Sequence, residues 1–127
     1  MDIAALHRLR QKDKAGLQQL LGALNGAKNA LGLDGCGDWM IEGRRGEIRA
    51  CSGTFSIYLQ CHSVRAWNAA KKQLAFCRGS QDSDDEGVLT LDRLPTEAEA
   101  KIIRNYVGIH MTRPPPAKGF GSEQTPS

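Results

Sequence analysis

The sequence predicts an α+β fold: a three-stranded antiparallel meander followed by helix, strand and helix, with an N-terminal helical segment ahead of it. Three observations carry that expectation. Apolar and polar residues alternate between Trp39 and Gln60, leucines recur at three- and four-residue spacing between Ile3 and Leu31, and two later stretches join a capping residue to an amphipathic run. At 127 residues and 40% hydrophobic, the chain is sized for one small domain with tails. The expected division is a helical segment over residues 1–31, an α+β domain over 39–109 and a disordered tail over 111–127.

In the first segment Ile3, Leu6, Leu9, Leu17, Leu20, Leu21, Leu24 and Leu31 keep a helical rhythm that Gly16, Gly22 and Gly26 interrupt. An interior glycine costs about 1 kcal/mol relative to alanine, so a broken helix or two short ones are expected, needing a partner surface to persist. Gly32-Leu33-Asp34-Gly35-Cys36-Gly37-Asp38 reads as a linker.

From Trp39 the period becomes two. Trp39 to Glu42, the turn Gly43-Arg44-Arg45-Gly46, Glu47 to Cys51, the turn Ser52-Gly53 and Thr54 to Gln60 make the meander. Phe55, Ile57 and Leu59 alternate with Ser56, Tyr58 and Gln60, which predicts one buried face, shared by Trp39 and Ile41, and one wet face. Ser63 caps a helix over 64–77 with Val64, Trp67, Ala70 and Leu74 as its apolar stripe and Gly79 as its stop. Residues 80–87 read as an acidic loop and 88–92 as a fourth strand. Thr96-Glu97-Ala98-Glu99 is a capping box, and Ala98, Ile102, Ile103, Tyr106 and Val107 face the core up to a stop at Gly108. Both helices are expected on the Trp39, Phe55, Leu59 face.

Net charge is +3, but it is unevenly spread: residues 36–78 hold seven basic and three acidic side chains, residues 79–110 three and seven. Apolar runs fall far short of the roughly 18 residues a membrane span needs, so no membrane partner is expected. Met1 to Arg8 lacks the pattern of a secretory signal, which makes cytoplasmic the expected location. Cys36, Cys51, Cys61 and Cys77 make no zinc knuckle and read as buried or incidental thiols, so no metal and no cofactor is expected. Asp82 to Gly87 starts like a calcium loop, yet Arg93 stands where a bidentate Glu is required. His7, His62 and His110 are scattered, and the chain is not expected to be an enzyme.

A basic surface is the main candidate site: Arg44, Arg45, Arg49 and Tyr58 on the wet sheet face and its turn, joined by Arg65, Lys71 and Lys72 of the next helix. Guanidinium groups fork onto phosphates and a sheet tyrosine can stack on a base, so DNA or RNA is the expected partner. The strand–strand–strand–helix order matches that of integrase arm-binding domains. Double-stranded RNA binding domains share the helix, three strands, helix order of residues 3–76, but their lysine run is missing from Ser63-Val64-Arg65-Ala66. The alternative is a protein partner held through the leucine stripe from Ile3 to Leu31, with the acidic Asp82 to Glu86 loop as a second contact.

Residues 39–109 resemble small uncharacterised bacterial proteins of the alphaproteobacterial kind. Phe76-Cys77, Gln81 to Gly87 and Leu91 to Ala100 carry the likeness. The resemblance implies a bacterial cytosolic origin and no particular activity. Proteins of this kind also travel on phages and mobile elements, which adds an inhibitor of a host protein to the candidate functions.

Overall fold

A computed structural model describes residues 2–51 and 53–112. The chain runs α1 (Ile3–Leu24), a 3-10 turn (Lys28–Ala30), β1 (Leu31–Leu33), β2 (Trp39–Glu42), β3 (Gly46–Cys51), β4 (Thr54–Gln60), α2 (Val64–Gln73), β5 (Arg78–Asp82), β6 (Glu86–Leu91) and α3 (Glu97–Val107). It is an α+β fold with one six-stranded sheet in the order β1-β2-β3-β4-β6-β5, every neighbouring pair antiparallel. β4 and β5 therefore run parallel, with the later strand β6 inserted between them.

All three helices cover one face. α1 lies over β2 and β3, α3 over β3 and β4 and against α1, and α2 over β6. Strand parity explains the choice: Ile41, Ile48, Phe55, Ile57, Leu59, Leu89 and Leu91 point to one side and are buried there. Trp67 of α2 closes that side against Gly87, where a side chain would collide with the indole and with the Gln81 carbonyl.

The N-terminal segment is not a separate body. Leu17, Leu20, Leu21 and Leu24 lie in the same core as the strands, and α1 is one continuous helix of 22 residues. Four buried leucines outweigh two interior glycines at about 1 kcal/mol each. Asp2 caps its start by accepting from the Ala5 amide, and Asn25 ends it in the left-handed region at φ 54°.

Several local expectations change. Leu31 of the expected helical segment and Gly32 and Leu33 of the expected linker form β1, and Asp34 closes the following turn by accepting from the amides of Cys36 and Asp38. The acidic loop expected over 80–87 is a hairpin: β5 takes Arg78–Asp82, and Ser83 donates its amide to the Glu86 carbonyl across the turn. α2 ends at Gln73, so Gly79 lies in a strand instead of stopping a helix. Val64 and Ala98 are exposed, because each lies at the first turn of its helix beyond the reach of the sheet, and Ala100 takes the core position. The capping box at Thr96 and Glu99 and the stop at Gly108, φ 83°, are as expected. Met111 and Thr112 belong to the fold: Met111 bridges Gly26, and the Thr112 amide donates to the Asn25 carbonyl. The remainder of the expected disordered tail lies outside the described residues.

Candidate functional site

Arg49 and Tyr58 lie on the uncovered sheet face, as alternation requires. Arg49 is fully engaged there: its guanidinium sits 2.6 Å from Asp34 and 2.5 Å from Glu47. Arg49 and the two backbone amides hold the Asp34 carboxyl down at about 2. Tyr58 stands across from Glu47 and Val88, and burial followed by the nearby Glu86 pushes its phenol upward. Arg78, on the same face, is forked onto Asp92 at 2.9 and 2.8 Å. With Glu42, Glu47 and Glu86 added, this face holds more carboxylates than cations. A phosphate backbone gains nothing from it.

Arg44 and Arg45 occupy the β2–β3 turn, seated on the C-terminal end of α3. Their amides donate to the carbonyls of Gly108 (3.1 Å) and Val107 (2.9 Å), and the Arg45 guanidinium caps the Asn105 carbonyl. Arg45 thus serves the negative end of the helix. Both arginines, with Tyr58 and His62, rim a shallow depression of about 310 Å³ that Glu42 and Glu47 also line. His62, with left-handed backbone at φ 64°, is an additional basic group here that strand periodicity gave no reason to choose.

Arg65, Lys71 and Lys72 belong to α2, on the opposite side of the sheet. Lys71 is 2.7 Å from Asp82 and its ammonium lies 5.4 Å from the Trp67 ring centre. The seven predicted residues therefore fall on a turn, an open sheet face and a helix layer. A helix that buries one face of a sheet cannot share a surface with the other, so the expected fold already argued against the expected patch.

The leucine stripe divides. The core takes Leu17 to Leu24, while Ile3 stays 87% exposed at the free end of α1. Arg10 reaches Asp38 at 3.5 Å, and the Lys14 ammonium lies 4.4 Å from the Trp39 ring centre. At the other end of the stripe is the edge strand β1. The Asp34 amide donates to the Asp38 carbonyl, and antiparallel pairs alternate, so the N–H and C=O of Leu33 and the C=O of Leu31 point away from β2. The Leu31 amide turns the same way and donates to the Lys28 carbonyl. Leu33 is 57% exposed. Two residues back along the strand, Leu31 joins Leu21, Gly22 and the polar Gln18, Asn25, Lys28 and Thr112 in lining a notch of about 470 Å³. The far edge of the sheet is guarded: β5 carries a register shift between Gly79 and Gln81, an arginine and an aspartate.

Among the described residues no three metal-ligating side chains come together, and no helix is long and apolar enough to cross a membrane. Comparison with protein-family models, curated proteins and solved structures finds no match.

Proposed function

We propose that this chain is a non-enzymatic protein-interaction module of the bacterial cytoplasm, which receives a partner strand on the free edge of β1. The carrying observation is that β1 has outward-pointing backbone groups and an exposed Leu33, a notch walled by Leu21 and Leu31 nearby, and no charge, proline or bulge within the strand itself. Strand addition uses these elements: main-chain hydrogen bonds supply affinity and side-chain pockets supply selectivity. The notch falls largely within the stretch from Ile3 to Leu31. Four free cysteines suit a reducing compartment. Nucleic acid is disfavoured because Arg49 and Lys71 are neutralised and the remaining cations do not form one surface.

Two measurements test this proposal. Fluorescence anisotropy with labelled single- and double-stranded DNA and RNA at low salt should give no saturable binding. Binding that falls steeply with salt, and whose slope drops by about one unit for each of Arg44→Ala and Arg45→Ala, would return the function to nucleic acid. A photo-crosslinking residue at position 33 should give protein adducts, and one at the exposed Gln11 should give none. Absence of any adduct at position 33 overturns the proposal.

A further inference from the structure

We infer that the strand received by β1 is β1 of a second copy of this chain, the two strands pairing antiparallel about a two-fold axis at Gly32. The inference rests on the β1 edge being the contact surface, and it names the partner.

Self-complementarity carries it. A two-fold interface must offer a knob and its own hole on one surface. With Gly32 opposite Gly32, Leu33 of one copy falls opposite Leu31 of the other, and both leucines project to the helix-covered side because their partners are Trp39 and Ile41. That is the side on which the notch opens, walled by Leu21 and Leu31. The exposed Leu33 thus enters the notch of the second copy, and the reverse contact forms by symmetry. The backbone agrees with the same register. In antiparallel pairing the residues that exchange hydrogen bonds are those whose N–H and C=O point outward, here Leu31 and Leu33. The Leu33 amide of each copy meets the Leu31 carbonyl of the other, while the Leu31 amide is already satisfied by Lys28.

At the centre Gly32 meets Gly32, with no side chain on the open face to keep the strands apart. The notch rim at Gly22 is equally bare: a Cβ built there meets nothing within 4 Å. Three residues of strand plus a helix flank make a small interface, which places the dimer in the weak, reversible class.

Sedimentation velocity on the full chain from about 2 to about 200 µM should show a monomer–dimer equilibrium in the micromolar range. Leu33→Lys should raise the dissociation constant at least about tenfold while leaving the circular dichroism spectrum and unfolding midpoint unchanged, since the side chain is exposed. The photo-crosslinker at position 33 should join to residues 28–33 of a second copy. A chain monomeric throughout, or a dimer indifferent to Leu33→Lys, overturns the inference. So does a crosslink from position 33 to residues 113–127 of the same chain. Crosslinks only to a different protein overturn the second copy and leave the strand-addition proposal standing. No crosslink at all removes both.

Discussion

Asp34 collects the Arg49 guanidinium on one oxygen and two backbone amides on the other. Each favours the ionised form, so its carboxyl is held at about 2 in the folded chain against roughly 3.9 in the unfolded one. A depressed folded value contributes stability that is complete above the unfolded value and lost as pH falls through the folded one. Thermal melts should therefore show Asp34→Asn losing less stability than the wild type between about pH 4 and about pH 2, with the variant less stable at neutral pH. The thiols offer a second prediction at this scale. Burial, with Glu99 nearby, pushes Cys77 up to about 11, whereas Cys36 and Cys51 are exposed. Iodoacetamide at mildly alkaline pH should label Cys36 and Cys51 well before Cys77, as read by peptide mass spectrometry. The Asp34–Arg49 pair was beyond sequence reading, because fifteen residues separate the two and only the β1–β2–β3 register brings them together. Tyr58 and Arg49 were correctly placed on the wet face, since parity alone decides that.

At the scale of elements, α1 shows tertiary packing overriding local preference. Gly16 lies in its interior, and a Cβ there would come 3.9 Å from the Phe55 ring, an ordinary contact. Gly16→Ala should raise stability by about 0.5–1 kcal/mol in urea unfolding. Removing residues 1–31 would strip four buried leucines from the core, so that deletion cannot probe binding alone. α2 is held to β6 chiefly by Trp67, Ala70 and Leu74, with Trp67 1% exposed. Trp67→Ala should cost about 3–5 kcal/mol, measured as a shift of the urea midpoint. The meander was legible because β3 and β4 alternate cleanly, and α3 because the capping box fixes its start. β5 was not: Arg-Gly-Ser-Gln-Asp has no apolar alternation, since an edge strand with one neighbour needs little beyond its backbone bonds. β1 was hidden by its brevity and its flanking glycines.

The whole molecule has two unlike sides and two unlike edges. Its helix layer covers the apolar face and carries the basic side chains of α1 and α2, while the open sheet face is richer in carboxylates. Composition showed the charge asymmetry along the chain, but only strand order could show which charges share a surface. The candidate site was less legible than the fold for that reason. Strand order also sets the folding rate. Phe55 pairs with Leu91, and the Arg104 guanidinium donates to the Leu24 carbonyl across 80 residues of chain. Stopped-flow refolding should accordingly fall in the millisecond-to-second range, slower than for a helical bundle of similar size.

The insertion of β6 between β4 and β5 has a consequence for synthesis. A ribosome delivers β4 and α2 first, yet β4 has no neighbour on that side until residues 86–91 emerge, and the ceiling supplied by Ile103 and Val107 comes later still. Throughout that interval Ile57 and Leu59 lie on a strand whose backbone is open along one edge. That nascent chain presents an apolar, unpaired segment of the kind that chaperones shield and that neighbouring nascent chains can cross-pair with. Slowing elongation between residues 60 and 86 should therefore lower the soluble yield, and slowing it after residue 107 should not.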